Sequence, residues 1–146
     1  MKTRQHIFRA MNVVFLLSAI QLFISVPLFG GSAYTPSKDS VERKAILNAL
    51  RQRVEKEPSL KVIFVVNYLK VSNGWAWIET SPQSPDGKSH YEDISALMRL
   101  NKKDSCWEVA ELACTEVDNP DCLGAPNFFQ RLMSRFPEAP ADIFPH

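Results

Sequence analysis

The chain has 146 residues, a length that suits one domain with its own hydrophobic core. Its 17 Lys and Arg residues nearly balance its 16 Asp and Glu residues, and the two signs are interleaved as on an ordinary solvated surface. The sequence contains no basic patch that would favour nucleic acid as a partner.

The first 33 residues have the three parts of a secretory signal peptide. Three basic residues precede the apolar run 13–29, and small residues follow it as far as Ala33. We expect cleavage after Ala33, which leaves 14 basic and 16 acidic residues and a formal charge of −2. The alternative is an uncleaved membrane anchor, but Pro27 and several polar residues interrupt a run shorter than the roughly 20 apolar residues that a span needs. We therefore expect no stable membrane anchor and a single domain over residues 34–146.

An amphipathic helix is predicted over residues 38–57, because apolar side chains recur there at helical spacing. The helix begins at Ser37 or Ser40, with Ser37 as a natural N-cap, and Pro58 prevents much extension. Its apolar face consists of Val41, Ala45, Ile46, Ala49, Leu50 and Val54. The opposite, charged face is typical of a helix surface in water.

A β-hairpin is predicted over residues 61–83, where two apolar runs flank the turn dipeptide Asn73-Gly74. We place its two strands at residues 60–71 and 75–80. Both faces of the first strand are mostly apolar, whereas a strand that is covered on one side alternates between apolar and polar residues. The sequence therefore predicts that both faces of this strand need a cover.

Two more strands, at residues 91–100 and 106–114, and a second helix from about Pro126 complete the predicted order. The fold class is thus α+β: an N-terminal helix, a curved four-stranded antiparallel meander, a C-terminal helix and a proline-rich tail over residues 137–146. A helix that leads into a curved sheet also looks like the cystatin or NTF2-like architecture, which is an analogy of fold alone. The tail offers two apolar residues that can pack onto the domain, Ile143 and Phe144.

The three cysteines allow one disulfide in a secreted chain. Cys106 and Cys114 are eight residues apart on one predicted strand. About 26 Å would then separate them, far more than the roughly 7 Å that a bridge allows. Cys114 and Cys122 flank a short loop, and their pairing would stabilise the fold by about 2.5 kcal/mol. Cys106 is then either a buried, inert thiol or a site of intermolecular pairing.

No catalytic set is recognisable in the sequence. The two histidines beyond the targeting segment, His90 and His146, belong to no arrangement that would activate a nucleophile. Glu116, Asp118 and Asp121 lack the spacing of a calcium-binding loop, so we interpret them as a solvated turn and expect no metal. No phosphate-binding glycine loop or dinucleotide fingerprint occurs, so we expect no cofactor. One enzymatic hypothesis stays open, in which two strand carboxylates act as acid and base, drawn from Glu79, Asp93, Glu108 and Glu111.

The second face of the sheet is the best functional clue in the sequence. If the first helix covers one face, the other needs the second helix, a ligand, a partner protein or a second copy of the chain. In the functional interpretation, this face forms an apolar groove for an envelope protein or a small apolar ligand, lined by Phe64, Tyr68, Trp75 and Trp77. In the other interpretation, the second helix covers the face or the sheet curls on itself.

Five stretches of the chain resemble a group of small secreted proteins of proteobacteria that have no assigned activity: residues 43–57, 61–83, 91–100, 107–116 and 125–144. The resemblance covers most of the mature chain and supplies no catalytic residues. It implies the periplasm of a Gram-negative bacterium and a disulfide between Cys114 and Cys122, with Cys106 peculiar to this sequence. We therefore favour a non-enzymatic binding or inhibitory module. The alternatives are a small envelope hydrolase or isomerase and a structural homodimer.

Overall fold

The computed structural model describes residues 31–55 and 61–146. Most of the predicted signal peptide, and Pro58, lie outside the described residues. In chain order the elements are α1 (Val41–Val54), β1 (Ile63–Ser72), β2 (Trp75–Gln83), β3 (Ile94–Asn101), β4 (Cys106–Leu112), α2 (Phe128–Arg135) and a short 3-10 helix (Ala141–Ile143). This order confirms the predicted α+β class, although β2 runs three residues further than predicted and β3 begins three residues later.

The sheet is an antiparallel meander in which the four strands lie side by side in chain order. It is open, so β1 and β4 are its edges. The turn between β1 and β2 is made by Asn73 and Gly74, whose φ angles of 50° and 77° lie in the left-handed region. A two-residue turn of type I′ needs this backbone at both positions, and Asn and Gly adopt it at low cost. The predicted hairpin is therefore confirmed.

A bulge at Asn67 changes which way the side chains of β1 point. Val66 pairs with Thr80 and Tyr68 pairs with Glu79, so Asn67 is an extra residue in the ladder. Because side chains alternate along a strand, one extra residue exchanges the two faces from that point on. The buried residues of β1 on the α1 side therefore have an even number before the bulge and odd numbers after it: Phe64, Leu69 and Val71.

One hydrophobic core lies between α1 and the sheet. Ile46 and Leu50 of the helix are fully buried there. They belong to one cluster with residues from all four strands, among them Ile78, Ala96 and Met98. The first helix thus packs on this face, as the spacing of its apolar residues predicts.

The N-terminus of α1 differs from the prediction in two ways. The cap is Ser40, whose Oγ accepts a hydrogen bond from the backbone N–H of Arg43. Ser37, the expected cap, instead accepts hydrogen bonds at its backbone carbonyl from the N–H and the hydroxyl of Ser40. Val41, expected on the apolar face, is 85% exposed because it begins the helix and points into solvent.

A second hydrophobic core lies on the other face of the sheet, under α2 and the C-terminal tail. Trp77 is 1% exposed, and its ring centroid lies 5.2 Å from that of Phe129 and 5.6 Å from that of Phe144. Leu132 and Ile143 are fully buried beside it. The interpretation in which the second helix covers this face is therefore confirmed, and the tail packs back onto the domain as its apolar residues predict.

The predicted disulfide joins Cys114 to Cys122, whose Cα atoms are 4.7 Å apart. It closes the loop between β4 and α2, where the N–H of Leu123 also donates to the carbonyl of Cys114. Cys106 is free, but the prediction of a buried thiol is wrong. It is exposed because it begins an edge strand directly after a turn. Among residues 31–55 and 61–146, no helix is both long and apolar enough to span a membrane.

Candidate functional site

A cleft of about 560 Å³ lies beyond the last turn of α1, at one end of the sheet. It is bordered by the beginning of β1, the end of β2, the beginning of β3 and the end of β4. In an antiparallel meander these four strand ends necessarily lie at the same end of the sheet. The helix ends at Val54, which itself lies in the cleft wall. The volume falls within the roughly 300–1,000 Å³ typical of small-molecule sites.

The walls of the cleft are mainly apolar. Phe64 and Pro82 are partners across β1 and β2, while Ile94 begins β3 and Leu112 ends β4. All four point to the α1 side of the sheet, because partners in an antiparallel register share a face. Ile94 and Leu112 are half-buried, since α1 has ended before it reaches them.

Three carboxylates stand at the mouth of this cleft: Glu55, Glu92 and Asp93. Glu92 Oε1 accepts a hydrogen bond of 2.6 Å from the hydroxyl of Thr115. Glu55 Oε1 lies 3.4 Å from Arg51 Nε, an ion pair without the geometry of a hydrogen bond. The site therefore combines an apolar interior with an acidic mouth.

Arg51 links the mouth to the interior. Its guanidinium carbon lies 5.2 Å from the ring centroid of Phe64, within the range of a cation–π contact. Its Nη1 also donates to Asn48 Oδ1 at 3.0 Å. These contacts hold the arginine along the helix and above the phenyl ring of Phe64, beside the cleft and outside its lining.

The four residues predicted to line one groove lie on two faces of the sheet. Phe64 is on the α1 side, in the wall of the cleft, whereas Tyr68, Trp75 and Trp77 face α2. Trp75 and Trp77 are 6% and 1% exposed, so their rings form the centre of the second core. The bulge at Asn67 is the physical reason for the separation, because it sends Phe64 and Tyr68 to opposite sides.

Tyr68 lies half-buried at the margin of the α2 cover, near two carboxylates. Its burial, and then the negative charges of Glu79 and Asp142, raise the pKa of Tyr68. Glu79 Oε1 accepts a hydrogen bond from Trp77 Nε1 at 2.9 Å, and Asp142 Oδ2 accepts one from the backbone N–H of Ala33 at 2.8 Å. These two contacts orient the indole and tie the segment before α1 to the C-terminal tail.

The carboxylates of the enzymatic hypothesis are held by different partners. Glu108 pairs with Arg99 at 2.6 Å, and Glu111 pairs with Arg135 of α2. Glu79 accepts from an indole in the second core, as described above. Asp93 stands at the mouth of the cleft, on the other side of the sheet from that indole.

The acidic loop before α2 makes its own internal contacts. Glu116 Oε2 accepts a hydrogen bond from Asn119 Nδ2 at 2.9 Å, and Asp121 lies 3.3 Å from Arg131 Nε. Within the described ranges 31–55 and 61–146, no group of three or more His, Cys, Asp or Glu side chains is arranged to hold a metal ion.

The sequence analysis named Phe64 as part of a groove with Tyr68 and the tryptophans, and Asp93 as a strand carboxylate, but it did not identify this cleft. The missed residues come from separate elements: Glu55 from the end of α1, Glu92 from the segment before β3, and Leu112 from the end of β4. The predicted meander already implied that these strand termini lie at one end of the sheet. What the sequence did not show was where α1 stops relative to that end.

Comparisons with protein-family models, curated proteins and solved structures find no match to this chain. The cleft and its lining residues are thus the observations that bear on function.

Proposed function

We propose that this protein is a non-enzymatic binding module that holds a small apolar ligand in the cleft beyond α1. The observation that carries the proposal is the cleft itself, about 560 Å³ in volume and lined largely by apolar side chains. Small-molecule sites are typically concave and mostly apolar, with a few polar groups that fix the orientation of the ligand. Transfer of apolar ligand surface from water into such a cleft is favourable.

The polar groups of the cleft favour binding over catalysis. An acid and base pair needs two groups that both reach the reacting atoms. Here Glu92 is hydrogen-bonded to Thr115, and Glu55 lies against Arg51. Both contacts position the carboxylates at the mouth, where they can orient a ligand.

We further propose that the protein acts in the periplasm of a Gram-negative bacterium. The disulfide between Cys114 and Cys122 supports an oxidising compartment, and the sequence of residues 1–33 has the pattern of a signal peptide. Osmotic shock of cells that express the full chain should release the protein with periplasmic markers. Its retention with cytoplasmic markers would contradict this location.

The binding function is tested by the fluorescence of Nile red, a neutral apolar dye that brightens in apolar surroundings. The purified protein should bind the dye, and Leu112→Trp should weaken binding about tenfold or more, a loss of about 1.4 kcal/mol. Leu112 is half-buried in the cleft wall, so a larger side chain at this position occupies the space of the ligand.

A matched control places the same indole elsewhere. Val41→Trp adds it at a position that is 85% exposed at the start of α1, so dye binding should not change. Thermal unfolding of both variants establishes that each is folded. A folded Leu112→Trp variant with unchanged dye binding, or a wild-type protein that does not bind the dye, would refute the proposed function.

A further inference from the structure

We infer that the natural occupant of the cleft is a cationic amphiphile, in which an apolar chain carries one ammonium or guanidinium head. The inference rests on the proposed binding function and deepens it by naming the chemical class of the ligand. Two features carry it together: the apolar walls described above, and the excess of negative charge at the mouth, where a polar head can remain in water.

The charged side chains that border the mouth of the cleft are acidic. Glu55, Glu92 and Asp93 all border the cleft, and none of the described lining residues is Lys or Arg. Arg51 lies close by, but its guanidinium is already shared between Glu55, Asn48 and the ring of Phe64. A cationic head therefore meets opposite charge at the mouth, whereas an anionic head would add to the repulsion.

Glu55 also has a buried oxygen that accepts no hydrogen bond within the described part of the chain. This Oε1 lies 3.4 Å from Arg51 Nε in an ion pair, and the side chain as a whole is 17% exposed. A buried carboxylate oxygen without a hydrogen bond is unfavourable. An N–H donor on a ligand in the cleft would satisfy it, which favours a primary or secondary ammonium or a guanidinium over a head that carries no N–H.

The apolar part of the ligand has a defined place in the same cleft. Phe64, Ile94 and Leu112 form its floor and walls on the α1 side of the sheet. Tyr91 stands at the mouth with 40% of its surface exposed, so its ring can cover a bound chain or contact the cation. A ligand with its apolar chain inside the cleft and its cationic head outside thus fits both the apolar walls and the acidic mouth.

The experiment compares three ligands with the same dodecyl chain as competitors of Nile red, the two ionic ones below their micelle concentrations and dodecanol below its solubility limit. Dodecylammonium should bind about tenfold more tightly than dodecanol, since two or three carboxylates each contribute a few tenths to 1 kcal/mol. Dodecyl sulfate should bind more weakly than dodecanol. Added salt should reduce the preference for the cation because it screens the exposed charges.

A variant that lacks two of the negative charges tests whether the mouth causes the preference for the cationic ligand. Glu92→Gln combined with Asp93→Asn should reduce the advantage of dodecylammonium over dodecanol to about threefold or less. The control, Asp39→Asn combined with Asp118→Asn, removes two negative charges at exposed positions outside the cleft and should keep the full advantage. If the first double variant does not fold, the single variant Asp93→Asn replaces it. This variant retains the hydrogen bond between Thr115 and Glu92.

The outcomes separate the two proposals. If Nile red does not bind to the wild-type protein, the binding function is refuted and the ligand class with it. If Nile red binds but dodecyl sulfate competes as well as dodecylammonium, only the ligand class is overturned. The ligand class alone is also overturned if the variant with Glu92→Gln and Asp93→Asn keeps the full preference for the cation.

Discussion

On one face of the sheet, Trp77 lies beneath α2 and the tail with 1% of its surface exposed; on the other, Phe64 forms the wall of a cleft. The two faces are made of similar residues, but their covers differ. The α2 face is closed by two separate segments, the helix and the 3-10 helix of the tail, whose phenylalanine rings surround the indole. The α1 face is closed by a single helix of 14 residues.

The difference teaches why the cleft lies where it does. Ile46 and Leu50 are fully buried on the α1 face, and the helix ends at Val54, which itself lines the cleft beside Phe64 and Leu112. On the other face, a second segment fills the equivalent gap over the tryptophans.

The largest expected effect tests the closed face. Trp77→Ala should lower the free energy of unfolding by about 3–5 kcal/mol, because it removes the side chain on which three phenylalanine rings pack. Urea unfolding measures the loss. Val65→Ala is the matched control, since Val65 is 42% exposed and should cost less than about 1 kcal/mol. Equal losses in the two variants would mean that Trp77 is not packed in a closed core.

The next effect concerns what holds the α2 cover in place. Replacement of Cys114 and Cys122 by Ser opens the loop between β4 and α2 and should lower the free energy of unfolding by about 2.5 kcal/mol. Cys106→Ser, at a free and exposed thiol, should change it by less than about 0.5 kcal/mol. Denaturant unfolding of the three proteins compares the values. A loss below about 1 kcal/mol in the double variant would show that the cover holds without the bridge.

A third pair of variants compares the free space on the two faces of the sheet. Leu97 is fully buried under the α2 cover, so Leu97→Trp should overpack the core and cost about 1–3 kcal/mol. Leu112→Trp projects into the cleft and should cost less than about 1 kcal/mol. Thermal unfolding of both variants gives the comparison. Similar destabilisation at the two positions would contradict the presence of free space at Leu112.

The smallest effect concerns the other end of α1, where Tyr34 ties the helix to the edge of the sheet. Its backbone pairs with that of Val71, and its hydroxyl donates to Glu42 Oε2 at 2.7 Å. This hydrogen bond, then burial and the charge of Glu42, raise the pKa of Tyr34 from 10.0 to about 12. Because the folded state holds the phenolic proton more tightly, the contact contributes fully below pH about 10 and is lost as the pH rises to about 12.

Titration of tyrosinate absorbance checks this expectation. The wild-type protein should show a tyrosine that ionises near pH 12, and the Tyr34→Phe variant should lack it. The variant should also lose part of the decline in stability between pH 10 and 12. An identical titration in both proteins would mean that the hydroxyl does not hold the helix in solution.

Much of the fold was predictable because it depends on short-range chemistry. Asn73 and Gly74 form the expected turn, and Cys114 pairs with Cys122 across a loop that can close. The errors arose where neighbouring groups compete. Ser40 and Ser37 both had the chemistry of a helix cap, and the structure uses the one nearer to the first buried turn.

The sequence by itself determined the order of the elements, the hairpin turn, the disulfide and the need for cover on both faces of β1. Each of these depends on residues close together in the chain or on an apolar pattern that any cover must satisfy. Only the tertiary structure decided which aromatic residue faces which cover, because the extra residue at Asn67 exchanges the two faces. It also decided where the cleft opens, since that depends on the length of α1 measured against a sheet whose strands come together only in the folded chain.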